Sequence, residues 1–187
     1  MLSATEPEPA DFADLRASCQ ATLRWMQGPA SRAAQQNRAA MQSAQAWLWF
    51  LHADSRLAEK CFLAIEKASP QALNYFRLRF YDGPIWMRIN EFGVRVRCWL
   101  FKLPFGDQGF LLTRANWLAL GAFPEQANGG QGGEDVALVQ CARVACMPVM
   151  DLPAALGTSA RKYVEHGWLR TTLAHLRTTW RQTRNAV

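Results

Sequence analysis

The sequence predicts an α/β protein, a sandwich in which helices cover both faces of a mainly parallel sheet. Three observations carry that expectation. Apolar runs of strand length alternate with segments whose apolar residues recur at helical spacing, the order that belongs to α/β folds. One run, residues 47–53, is apolar on both faces, as expected of a central strand covered from both sides. The 187 residues are 50% hydrophobic with 8 Trp and 10 Phe, enough to fill one substantial core and to argue for a single domain over residues 1–187.

Taken in order, residues 1–12 are acidic and proline-rich and are expected to be irregular, and residues 12–19 suit a short helix. A strand over 21–28 ends in Gly-Pro. Residues 31–46, rich in Ala and Gln, predict a helix of about four turns with Ser31 as its N-cap. After the strand 47–53 comes a helix over 55–68, broken at Pro70. Residues 72–82 alternate as a strand does, and residues 84–102 carry apolar side chains at helical spacing. A short strand over 108–114, a helical turn over 115–121, a helix over 134–145 and a strand over 146–152 follow. A helix over 167–184 closes the chain.

Composition narrows the function classes. No uninterrupted apolar stretch approaches the ~20 residues a spanning helix needs. The acidic N-terminus has neither the basic start nor the apolar centre of a secretory signal, so a cytoplasmic location is expected. Five cysteines, widely spread with no C-x-x-C pair, are expected to be reduced thiols that pack as small hydrophobes. The net charge of +6 suits an anionic partner: nucleic acid, an anionic membrane or a phosphorylated small substrate. Nucleic acid is the least suited, because most aromatics fall in apolar, core-like runs rather than interleaving with exposed arginines.

Several residues stand where chemistry is often done. His52 and Asp54 end an apolar strand, and ligand sites of parallel sheets gather at the carboxyl ends of strands. A carboxylate there suits a hard cation that completes its shell with phosphate and water; equally, Asp54 could cap a helix beginning at Ser55. Glu134 and Asp135 follow the glycine-rich stretch 127–133, where they could serve a reaction or simply favour a helix N-terminus. Gly106 and Gly109 allow tight backbone around Asp107 and Gln108, as a site or an ordinary β-turn would need.

The stretch LHADSRL, residues 51–57, resembles the metal-binding loop of family 2 glycosyltransferases, in the arsenosugar-biosynthesis-type branch that has His-Ala-Asp where most relatives have Asp-x-Asp. Four more stretches resemble that branch in the same order: SRAAQQN at 31–37, LPFGDQGFLLTRANWLALGAFPE at 103–125, GGEDVALV at 132–139 and TSARKYVEHGWLRTTL at 158–173. The resemblance implies an A-type glycosyltransferase fold and transfer of a sugar from a nucleotide-diphosphate donor to a small acceptor, with inversion and with Mg²⁺ or Mn²⁺. It implies Asp54 as the metal ligand, with Arg32, Gln35, Asn37, His52, Ser159 and Arg161 around the donor diphosphate. Asp135, beside Glu134, would be the general base, and Gly106, Asp107 and Gln108 would meet the acceptor.

Such enzymes open with strands ending in Pro-x-x-Asn-Glu and Asp-Gly-x-Ser-x-Asp, and neither pattern occurs in this sequence. The resemblance therefore implies a fold lacking its first strand or strands. It leaves open a second function, that of a catalytically impaired glycosyltransferase-like module that binds a partner. The closing helix, with Trp168, Leu169, Leu173, Leu176 and Trp180 towards one side, would face the core, or else contact an anionic membrane or a partner.

Overall fold

The computed structural model describes residues 2–125, 133–168, 171, 172 and 177. It is a mixed α/β structure. In chain order the elements are β1 (Leu2–Ala4), α1 (Phe12–Ser18), β2 (Trp25–Gln27), α2 (Arg32–Gln42), β3 (Trp47–Phe50), α3 (Glu59–Ile65), β4 (Leu73–Phe80), α4 (Met87–Phe101), a 3₁₀ turn (Gly106–Gln108), β5 (Phe110–Thr113), α5 (Arg114–Ala119), α6 (Glu134–Val144), β6 (Val149–Thr158) and α7 (Arg161–His166).

The main sheet has four strands in the order β3-β5-β4-β6, and β1 and β2 form a separate parallel pair. The expectation of a mainly parallel sheet is corrected here: β4 and β6 are parallel, but β5 runs antiparallel to both β3 and β4. The chain leaves β4 at Phe80 and re-enters the sheet at Phe110 from the same edge, which forces β5 against its neighbours. β3, β4 and β6 therefore share one direction around a reversed β5.

β3 is also not central, as its pattern suggests, but an edge strand paired only with β5. Its apolar character on both faces has another cause. Leu48 and Phe50 pack into one core with Phe110, Leu112, Trp117 and Phe123, while Trp49 packs on the opposite face against a second core containing Cys61, Phe76, Leu111 and Leu156. Helices α2, α4, α5 and α6 supply the first core and α3 the second, so each face of the sheet is covered.

Most helix boundaries follow local signals. Ser31 caps α2, its hydroxyl accepting from Ala34 N at 3.3 Å, but the helix ends at Gln42 because Ser43 is extended. α3 starts at Glu59 rather than Ser55, because Arg56 is taken up in a two-hydrogen-bond bridge to Gly157 at 2.9 and 3.0 Å. β6 runs six residues past the expected end, to Thr158, along its full register with β4. The closing helix expected over 167–184 lies largely outside the described residues. α7 ends at Gly167, whose φ of 82° is open to glycine without strain. Cys61 and Cys98 are buried as expected, whereas Cys19 and Cys146 are exposed. Among the described residues no helix is long and apolar enough to cross a membrane.

Candidate functional site

The shared direction of β3, β4 and β6, with β5 reversed, sends four connections to one edge of the sheet. These are the segments after β3 (51–57), after β4 (81–84) and after β6 (159–160), and the segment entering β5 (103–109). All five stretches singled out in the sequence contribute to this edge, because α6, carrying Glu134 and Asp135, starts against it and Arg32 of the stretch 31–37 reaches Glu134.

After β3 the chain makes a tight turn in which Ser55 N donates to His52 O at 3.1 Å, leaving Asp54 exposed at its third position. Asp54 caps no helix, since the residue at the start of α3 is Ala58. Ser55 Oγ is buried without a hydrogen-bond partner among the described residues. The bridge from Arg56 to Gly157 ties this loop to β6, and the Arg56 guanidinium lies 3.6 Å from the centre of the Tyr81 ring. A Cβ on Gly157 would lie 3.1 Å from Arg56 Cβ and 3.2 Å from Tyr81 Cδ1, so a side chain there would have to displace Arg56 or Tyr81 by a few tenths of an ångström.

Gly106 is the point where the other loops meet. Its N–H donates to Asp135 Oδ2 at 2.8 Å, and Val136 N donates to Asp135 Oδ1 at 2.9 Å. A Cβ on Gly106 would lie 3.1 Å from His52 Nε2 and 3.3 Å from Asp135 Oδ2, so His52 and Asp135 flank the same bare backbone. Beside them Arg32 Nε donates to Glu134 Oε1, and Glu134 is only 3% exposed. Burial works against the Arg32 charge, but the hydrogen bond to Glu134 and the charges of Glu134, Asp135 and Asp107 more than offset it and hold its pKa above the ordinary value.

Other predicted site residues are engaged structurally. Gln108 is buried; its Oε1 accepts from Arg97 Nη2 at 3.1 Å, Cys98 Sγ at 3.3 Å and Phe105 N at 3.2 Å, and its Nε2 donates to Phe76 O at 3.1 Å. Asn37 clamps the loop after α5, donating to Phe123 O at 2.9 Å and accepting from Phe123 N at 3.0 Å. Gln35 is partly buried on α2. Ser159 Oγ donates to Asp82 Oδ2 at 2.7 Å, and Arg161, exposed on α7, faces Glu165 at 3.7 Å.

The structure thus brings together His52, Gly106, Asp107, Arg32, Glu134 and Asp135, keeps Asp54 on the adjoining turn, and turns Gln108 and Asn37 to holding the scaffold. Sequence reasoning passed over Tyr81 and Asp82. Their signal was available: they end an apolar strand just as His52 and Asp54 do. Among the described residues no group of three or more His, Cys, Asp or Glu side chains is placed to hold a metal. No protein-family model matches the chain, and a search of curated proteins finds no match.

Proposed function

We propose that the protein is an A-type glycosyltransferase of family 2 that moves a sugar from a nucleotide-diphosphate donor to a small acceptor, with metal assistance and inversion. The observation that carries the reading is the meeting of His52, Gly106 and Asp135, far apart in sequence, at the sheet edge where three strands end.

In this reading Asp135 is the base. Each of its oxygens already accepts one backbone N–H, which fixes the carboxylate in orientation, and a carboxylate has about four lone-pair sites, so positions remain for an acceptor hydroxyl. Asp54 and His52 would hold Mg²⁺ or Mn²⁺, since one carboxylate on an exposed turn suits a hard cation that draws its remaining ligands from phosphate and water. When bound, that ion supplies Lewis-acid stabilisation of charge on the leaving diphosphate. Arg32 contributes by holding Glu134 next to Asp135. Arg56, exposed and steadied over Tyr81, is the cation nearest Asp54 in the chain that can meet a phosphate.

One observation favours the second reading, a binding module without turnover. Arg32, Asn37 and Gln108, three residues assigned to donor and acceptor, are all engaged within the protein. Calorimetry separates the pieces of the proposal. Nucleoside-diphosphate binding should depend on Mn²⁺ and be weakened by EDTA, and Asp54→Ala should abolish that dependence; equal affinity with and without the metal removes Asp54 from the site.

A further inference from the structure

The outer face of α4 is apolar, and no described residue covers it. Ile89, Phe92 and Trp99 are 61%, 65% and 71% exposed, Leu100 is also exposed, and Val96 lies between them. These positions follow the spacing that puts side chains on one helical face, and Ile85 and Trp86, both exposed, extend it through the turn before the helix. The core-facing side is a different set, with Met87 and Cys98 buried and Val94 packed against the first core. α4 is therefore apolar on two faces, only one of which the described residues cover.

Charge says what suits the other. Arg88, Arg95 and Lys102 recur at seven-residue spacing along one flank of the outer face, all exposed, and no carboxylate pairs with them among the described residues. Glu91, on the same flank, is turned towards the sheet, accepting from Phe80 N at 2.8 Å. The cationic row borders a cavity of about 400 Å³ between α4 and the sheet, where Arg95 and Lys102 stand beside Glu91 and the Arg77–Asp151 pair, and a neighbouring one that Arg79, Arg88 and Glu91 line, so cations outnumber carboxylates in both. The described part of the C-terminal segment meets α4 away from this row, where Trp168 Nε1 donates to Asn90 Oδ1 at 2.7 Å. A second copy on this face would double the cations and bring only Glu91 and Asp151 to meet them, the first already accepting from Phe80 N and the second already paired with Arg77.

We infer that α4 seats the protein on an anionic membrane surface, its apolar stripe entering the boundary between headgroups and acyl chains while Arg88, Arg95 and Lys102 meet lipid phosphates. An exposed apolar stripe with tryptophans and a cationic flank is the pattern of an interfacial helix. The inference is independent of the glycosyltransferase reading.

Sedimentation of the whole chain with phosphatidylcholine vesicles, alone or mixed with phosphatidylglycerol, tests it. Binding to the mixed vesicles should be on the order of 100-fold tighter at low salt, from about 1 kcal/mol for each of three cations. Phe92→Glu with Trp99→Glu should reduce it at least ~10-fold, and Arg88→Glu with Arg95→Glu should remove the preference for anionic lipid. Phe62→Glu, at a residue 54% exposed on α3, should leave binding unchanged, and circular dichroism confirms that each variant is folded. Equal binding to both vesicles, or no binding to either, overturns the inference. So does self-association that Phe92→Glu with Trp99→Glu abolishes in a chain that ignores vesicles, because the face is then an interface between copies.

Discussion

Gly106 donates its backbone N–H to Asp135 Oδ2 at 2.8 Å, and a Cβ there would stand only 3.1 Å from His52 Nε2 and 3.3 Å from Asp135 Oδ2. The contact links the loop entering β5 to the start of α6. Gly106→Ala should therefore push His52 or Asp135 aside by a few tenths of an ångström, at a cost of about 1–3 kcal/mol typical of overpacking. Urea denaturation measures that cost, and nucleoside-diphosphate titration should show weaker binding in the same variant. A variant as stable as the parent, with unchanged binding, would mean that the loop is free to yield.

The Arg32–Glu134 pair joins α2 to α6. Glu134 is almost fully buried, so Arg32→Ala leaves a carboxylate short of its partner; since 46% of the Arg32 side chain is exposed, water can reach the gap and the loss should be about 1–3 kcal/mol, not that of a sealed pair. Glu134→Gln in the same background should recover part of it. A double-mutant cycle by chemical denaturation gives the coupling, and additive losses would exclude a stabilising pair.

How much of this could be read beforehand depends on what each residue senses. Ser31 is legible as a cap because the cap bond is local, spanning three residues. The class of fold is legible because the alternation of periods is local too. Strand order is not, since Trp47–Phe50 carries the same apolar pattern at an edge as it would at the centre: residues sense the layers above and below, while the neighbour in the sheet is set by where the chain re-enters at Phe110. In the site, His52 and Asp135 are legible by residue type. Gln108 is not, because a glutamine offered to a ligand and one saturated by Arg97, Cys98, Phe105 and Phe76 look alike in sequence.

Stability should fall on the alkaline side. Burial pushes the Tyr75 hydroxyl well above its ordinary value of 10.0, with the nearby Cys98 and Asp151 adding to the shift. Burial likewise raises the Cys98 thiol above 9.0 and the Tyr163 hydroxyl above 10.0. Each group keeps its proton more tightly folded than unfolded, so its contribution is complete below the unfolded value and is lost as the pH climbs towards the folded one. The urea midpoint should be level up to about pH 8 and decline above about pH 9, where the unfolded chain begins to release these protons first. Tyr75→Phe should flatten part of that decline; an unchanged slope would mean that Tyr75 does not contribute.

Asp135→Asn distinguishes turnover from binding. The side-chain oxygen of asparagine can still accept one of the two backbone N–H groups that hold Asp135, from Gly106 or Val136, but its amide nitrogen then faces the other as donor against donor. A loss of about 1–2 kcal/mol of stability is expected from that conflict, too little to unfold a typical domain. Nucleoside-diphosphate affinity should change little, because the variant leaves Asp54, His52 and Arg56 in place. Transfer should drop by about 10²–10⁴-fold if Asp135 takes the acceptor proton. The decisive measurement is the separation of the two: a variant that binds as before and no longer transfers assigns the base to Asp135, whereas one that keeps its rate moves the proton transfer elsewhere. Wild-type chain that binds the diphosphate but transfers no sugar to any acceptor tried, before and after the substitution, favours the binding module.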